Sequence, residues 1–339
     1  MTHLTYLEAA VVGLVQGVTE LYPVSSLGHN VLLPALVGGS WAKDLNVAAP
    51  ESPYLAYIVG LHVATAIALL IYFWRDWIRI IGGFFTSFGQ LIRPAPGTSR
   101  WDGLSVDEKM AWLIILATIP VGLAGLAFEH AFRVIFGKPV YAAVFLCVNG
   151  LILFAGERFR RSSAGADRRI AAEREFALAA TGGPGGPARH ASGHAAVRSR
   201  EVADGLESDR RLAEIGPGQA TLIGSVQILA LLAGISRDGV TMVAGMFRGL
   251  SREDAARFAF LLATPVILAA GALKIPDLMG PLGNGIRGQV LVGSILSGVG
   301  AYLSVRFLLR YFRTRTLNPF AIYCLVVGVG SIVYLELIK

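Results

Sequence analysis

Six stretches of this chain, residues 54–74, 110–128, 140–156, 255–273, 289–305 and 319–338, are apolar over nearly the length needed to cross a membrane. A helix needs about 20 such residues to span the hydrocarbon core. No water is available there to satisfy backbone amides, so these segments are expected to be helices whose hydrogen bonds close internally. The composition agrees: of 339 residues, 54% are hydrophobic and only 16% charged, too apolar for an ordinary soluble domain. The fold class this predicts is all-α, a polytopic membrane helix bundle. The first nine residues carry Glu8 and no cluster of Lys or Arg, so no cleavable signal peptide is expected.

A net charge of +7 raises the question of nucleic acid, and the distribution of the charge argues against it. Placing the loops 75–109, 157–216, 248–257 and 306–315 in the cytoplasm gathers 23 of the 30 Lys and Arg there, the usual asymmetry of a membrane protein. The opposite side holds Lys43, Arg133, Lys138, Lys274, Arg287 and Lys339. One cation is left over. Arg237 falls inside an apolar region, where it needs an anionic partner or a water-filled cavity. The two cysteines, Cys147 and Cys324, sit inside predicted spans and read as small buried hydrophobes, not as a disulfide or a thiolate metal site.

Two polar islands interrupt the apolar sequence. The first runs from Gln16 to His29 and contains Glu20, Pro23, Ser25, Ser26 and Gly28; the second runs from Ala233 to Thr241 and contains Gly234, Ser236, Arg237, Asp238 and Gly239. Polar groups are costly at membrane depth, so the islands are expected to serve function as halves of one site. Aligning Gly13 with Gly224 also pairs Val15 with Val226, Gln16 with Gln227, Leu21 with Leu232, Ser25 with Ser236 and Gly28 with Gly239. Each island precedes three spans, and the charge bias gives the two sets opposite orientations, which predicts an inverted repeat. Residues 5–37 and 217–249 are too short for two crossings each and carry helix breakers, so both are expected to form re-entrant helical hairpins whose tips line a shared cavity. The organisation is then a first repeat over 1–157, a cytoplasmic and largely disordered linker over 158–216 with the Gly/Pro run 181–187, and a second repeat over 217–339.

Gln16 and Glu20 are four apart and share a helix face; a carboxylate and an amide oxygen so placed can hold a hard divalent cation such as Mg or Ca. Gln16 can equally make a helix–helix hydrogen bond. Ser25 and Ser26 follow a helix-breaking proline, where serines commonly cap the next helix, yet with His29 nearby they also offer a nucleophile or phosphate donors beside a base. Arg237 presents a planar fork of donors suited to phosphate, and the backbone N–H groups from Gly234 to Gly239 can face the same anion, with Ser236 and Thr241 adding hydroxyls. Asp238 can bind a cation, orient Arg237 or face away. The inventory fits phosphoryl transfer, and the membrane setting selects a lipid phosphate or diphosphate. A soluble nucleotide is not the expected substrate, because the chain lacks a Walker-type glycine loop.

At these residues the chain resembles the undecaprenyl-pyrophosphate phosphatase family of the bacitracin-resistance type. The resemblance is carried by Gln16 to Glu20 with Pro23 to His29, by Ala233 to Thr241, by Leu61-His62-Val63-Ala64-Thr65, and by Gly249 to Glu253 running on to Pro265. It implies hydrolysis of undecaprenyl pyrophosphate to undecaprenyl phosphate and inorganic phosphate, which recycles the lipid carrier of cell-wall synthesis and confers bacitracin resistance. It also implies a bacterial plasma membrane location with the site toward the outer face, and a required divalent cation. Carried over by position, Glu20, Ser26 and Arg237 are catalytic with His29 assisting; Ser25, Ser236, Thr241, Gly234 and Gly239 bind phosphate; Gln16 and Glu20 bind metal. Attack by Ser26 and attack by an activated water both stay open. The partners expected are the lipid substrate and bilayer lipid, with a homodimer as a further option. Three positions depart from the family pattern: Ala233 replaces a proline, Asp238 a serine and Leu27 a small hydroxyl residue. A polyprenyl-phosphate transporter or scramblase is the alternative reading, since inverted repeats with broken helices are common in transporters.

Overall fold

In the computed structural model, residues 4–45, 53–92, 99–136, 138–179, 194–280 and 285–338 are described. Helices dominate, and no strand occurs among the described residues. In chain order they are α1 (Tyr6–Thr19), α2 (Ser26–Val37), the short α3 (Gly39–Asp44), α4 (Pro53–Tyr72), α5 (Trp74–Ile92), α6 (Val106–Phe136), α7 (Pro139–Ala179), α8 (His194–Ala213), α9 (Pro217–Ser225), α10 (Arg237–Phe247), α11 (Arg252–Met279), α12 (Arg287–Thr314) and α13 (Asn318–Val333). A 3-10 turn over Val226–Leu231 links α9 to the second island.

Every predicted span falls on a helix. Five helices, α6, α7, α11, α12 and α13 with its continuation to Leu337, are long and apolar enough to cross by themselves, and α4 with α5 forms a sixth candidate bent by 85° at Phe73. By contrast α1 and α2 are apolar but only 14 and 12 residues long. At 1.5 Å per residue neither reaches across ~30 Å of hydrocarbon.

The short helices are held by close backbone packing at small residues, the usual means of association where lipid removes the hydrophobic drive between helices. α1 lies on α12, and a Cβ placed on Gly13 would come within 2.7 Å of the Gly293 Cα. In the same way α9 lies on α6, where Gly224 meets the Ala117 backbone. Gly13 and Gly224, paired in the sequence alignment, thus occupy matching crossings. At the centre α4 packs against α11 and α7 against α13.

The segment 158–216 differs from the expectation of a largely disordered linker. Residues 158–179 continue α7 and 194–213 form α8, while the Gly/Pro run 181–187 lies outside the described residues. From α8, Asp209 is fully buried and accepts from Arg257 Nε at 3.0 Å and from Arg79 Nη2 at 2.7 Å. Ser208 and Arg211 both bond Asp254. The end of the segment is therefore pinned to the bundle by charge, a feature its polar composition concealed.

Candidate active site

Both islands are breaks between two helices. After α1 ends at Thr19 the chain turns through Pro23, which cannot continue a helix and disfavours helical geometry in the residue before it. Ser25 then takes φ 68°, a left-handed conformation uncommon outside glycine, and its Oγ accepts the Gly28 N–H at 3.2 Å to cap α2. In the second island Leu232 is extended, Gly234 has φ 111°, and Ser236 Oγ accepts the Gly239 N–H at 3.1 Å to cap α10. The aligned serines therefore do the same work, each bonding the aligned glycine three residues on.

The two breaks meet. Gly234 N–H donates to Ser25 Oγ at 3.2 Å, and a Cβ on Gly28 would lie 2.9 Å from the Gly234 Cα, so this approach requires glycine at 28. Gly234 is required by its own φ of 111° and by α7, whose Ala142 carbonyl oxygen a Cβ there would strike. Asn149, buried on α7, bonds both: its Nδ2 donates to the Pro23 carbonyl and its Oδ1 accepts the Ser236 N–H, each at 2.9 Å. Across this junction Arg237 Nη2 donates to Glu20 Oε1 at 2.8 Å.

Glu20 is the hub. Its Oε2 accepts from Gln16 Nε2 at 2.7 Å and from the Ser26 hydroxyl, and the Nε2 of His62 lies 3.3 Å away. His62 Nδ1 is 2.8 Å from the Ile58 carbonyl, which can only accept, so that nitrogen carries a proton and Nε2 is turned to the carboxylate. Behind Glu20, Gln16 Oε1 accepts from Asn30 Nδ2 at 2.6 Å. Asp238, 1% exposed, places Oδ1 3.5 Å from Arg237 Nε, so the guanidinium lies between two carboxylates. A buried cation so paired is held in one orientation.

Glu20, Ser26, His62 and Arg237 face a cavity of about 270 Å³. Its polar lining is Glu20, Ser25, Ser26, His62, Gln227, Ser236 and Arg237, and the rest of its wall is apolar, with Ile58, Val121, Leu231 and Ile267 among it. Ser25 with Ser26 and Ser236 with Arg237 are the starts of α2 and α10. Two helix N-termini, each carrying partial positive charge, therefore open onto one space, as an anion site requires.

Five of the expected site residues, Glu20, Ser25, Ser26, Ser236 and Arg237, line this cavity. Gly234 and Gly239 instead commit their N–H groups to Ser25 and Ser236. Thr241 turns its hydroxyl to the Arg237 carbonyl at 2.7 Å, steadying the first turn of α10. His29 is engaged elsewhere: its Nδ1 is 2.7 Å from the Ser25 carbonyl, and its Nε2 is 2.8 Å from the Tyr323 hydroxyl, against whose ring it stacks. Its geometry ties the first tip to α13. The histidine that faces Glu20 is His62, which the sequence offered only within the family resemblance. The signal for it was present, a histidine inside an otherwise apolar span, as it was for Asn149.

The donor set bears on the cation. Gln16 has both amide atoms bonded and sits behind Glu20, and no group of three or more His, Cys, Asp or Glu able to hold a metal occurs among the described residues. Such a set does not make a closed protein cage. A cation held mainly by water and substrate phosphate oxygens, the mode typical of Mg²⁺, would need one oxygen of Glu20, which faces Arg237, Gln16, Ser26 and His62, to exchange a present donor for the metal.

Comparison with known proteins accords with this geometry. The chain is 58% identical over 336 residues to the undecaprenyl-diphosphatase of Mycolicibacterium paratuberculosis, covering 99% of both chains. It is 52% identical over 352 residues to undecaprenyl-diphosphatase 2 of Frankia alni, covering 97% of each, and 37% identical over 334 residues to undecaprenyl-diphosphatase 2 of Chromobacterium violaceum, covering 97% of this chain and 98% of that one. The profile of the family described as bacitracin resistance protein BacA matches residues 9–330. A match over nearly the whole length, through both broken helices and the spans between them, places this chain in the bacitracin resistance protein BacA family.

Proposed function

We propose that this protein is an undecaprenyl-diphosphatase, which hydrolyses undecaprenyl pyrophosphate to undecaprenyl phosphate and inorganic phosphate. One observation carries the reading: the Ser26 hydroxyl donates to Glu20, itself paired to Arg237, in the polar lining of a cavity whose remaining wall is apolar. The diphosphate is anchored by the N-termini of α2 and α10 and by the fork of Arg237. The polyprenyl chain leaves along Ile58, Val121, Leu231 and Ile267.

In the chemical step Ser26 Oγ attacks the terminal phosphorus while its proton passes to Glu20 Oε2. The bond from that phosphorus to the bridging oxygen breaks, and undecaprenyl phosphate departs with the electron pair. Water then cleaves the phosphoserine; the proton on Glu20 returns to Ser26 Oγ, and the hydrogens of water leave on inorganic phosphate. Ser26 is favoured over a water as the attacking group because its hydroxyl already donates to the base. Arg237 stabilises the charge spread over the transferring oxygens. A divalent cation, Mg or Ca, held by Glu20 and the diphosphate would neutralise charge on the leaving group. Gln16 and His62 hold the Glu20 carboxylate in place.

The protein belongs in the bacterial plasma membrane with the site toward the outer face, as the family resemblance implies; the charge bias of the loops supports the orientation of the spans. The matched roles of Gly13 and Gly224, and of Ser25 and Ser236, support an inverted repeat. Release of inorganic phosphate from undecaprenyl pyrophosphate by purified protein in detergent tests the function. Release that a chelator abolishes and added cation restores is the expected result. Binding of the lipid without any release would favour a transporter or scramblase.

A further inference from the structure

Gln227 lines the same cavity as Arg237 and Leu231, is 1% exposed, and its Nε2 has no hydrogen-bond partner. Its backbone is irregular as well. Ser225 Oγ bonds back to the Thr221 carbonyl at 2.8 Å, and the helix tightens at once into the 3-10 turn over Val226–Leu231 that carries Gln227. Back-bonding serines bend helices, and a 3-10 stretch between helical segments commonly marks a functional site. The aligned residue Gln16 is treated differently, for it has both amide atoms satisfied, by Glu20 and Asn30. Of two glutamines at matching positions, one completes the protein's own network and the other keeps a buried, unbonded donor in the wall of the substrate cavity.

An amide N–H buried without an acceptor costs on the order of 1–3 kcal/mol. The chain has a simple means of avoiding that cost, an apolar side chain of similar size, since the surrounding wall already consists of Ala230, Leu231, Val266 and Ile267. A ligand with an acceptor oxygen removes the cost on binding. The groups that line the same cavity also specify the ligand: Arg237 and the N-terminus of α10 draw an anion into it, so the acceptor that reaches Gln227 is an oxygen of that anion. We propose that Gln227 is a substrate-binding residue whose side-chain amide donates to a diphosphate oxygen. This rests on the diphosphatase reading.

The experiment pairs affinity with stability in Gln227→Met, which keeps length and removes the polar group. Wild-type protein is first shown to release phosphate from undecaprenyl pyrophosphate; absence of release there would strike the functional reading itself and not this inference. Affinity for a non-hydrolysable methylene-bridged polyprenyl diphosphate is then compared between wild type and variant, alongside thermal unfolding without ligand. The inference predicts affinity weakened about tenfold or more, a Tm of the free protein equal to or above wild type, and partial recovery of affinity in Gln227→Asn. A variant that binds the analogue as tightly as wild type overturns the proposal. A variant whose free form melts well below wild type overturns it too, because the amide would then serve the fold.

Discussion

Arg237 was conspicuous in the sequence as the one cation left over in an apolar region, and its neighbours give that charge a purpose. Glu20 at 2.8 Å and Asp238 at 3.5 Å hold two edges of the guanidinium. A lysine keeps the charge but offers a point where the site uses a fork. Arg237→Lys should therefore fold normally and lose roughly 10²–10³-fold in kcat, by analogy with removal of one oxyanion donor; phosphate release by purified variant and wild type measures it. Ser26→Ala should lose turnover more completely while still binding the lipid, because it removes the attacking atom and leaves the anion site intact. Glu20 and Ser26 were also legible, being polar groups at membrane depth. What the sequence did not disclose was which of two histidines faces the carboxylate. His29 is nine residues from Glu20 and His62 is 42 residues away, but the rotation of α4 brings His62 inward and the stacking of His29 on Tyr323 draws it elsewhere.

Among the elements, the broken helices were foreseeable from Pro23, Gly28, Gly234 and Gly239, and capping by Ser25 and Ser236 is the commonplace use of serine that their sequence allowed. Their meeting depends on a backbone approach too close for any side chain. Gly28→Ala puts a methyl 2.9 Å from the Gly234 Cα, so it should separate the tips, lower Tm by an amount corresponding to about 1–3 kcal/mol, and reduce turnover beyond what that loss of stability explains. Thermal unfolding and phosphate release on the same sample distinguish the two effects. α8 illustrates the limit of composition as a guide. Arg, Glu, Ala and Gly in mixture read as a solvated linker, yet Asp209 is buried between Arg257 and Arg79. Removing one partner of a buried pair costs about 3–5 kcal/mol. Asp209→Asn should fall toward the lower end, since Asp76 also faces both arginines, and denaturation of the variant in detergent gives the value.

For the whole molecule, the spans were the most legible feature, because length and hydropathy alone determine them. The bend of 85° between α4 and α5 was not, since no proline marks Phe73 and the charges of Arg75, Asp76 and Arg79 just beyond it read as the start of a loop, where the chain continues as α5. The charge bias makes a topological prediction: a cysteine at the exposed Lys43 should react with an impermeant reagent on intact cells, whereas one at the exposed Glu207 should react only after permeabilisation. The reverse pattern would overturn the proposed orientation. The central claim is that residues from two distant parts of the chain, Glu20 and Arg237, work as one catalytic unit. A double-mutant cycle on kcat/KM for undecaprenyl pyrophosphate, with Glu20→Gln, Arg237→Lys and both together, tests it directly. Groups acting as a unit are strongly non-additive, so the double variant should be about as slow as the slower single variant. Losses that simply multiply would mean that the two residues contribute independently and would contradict the account.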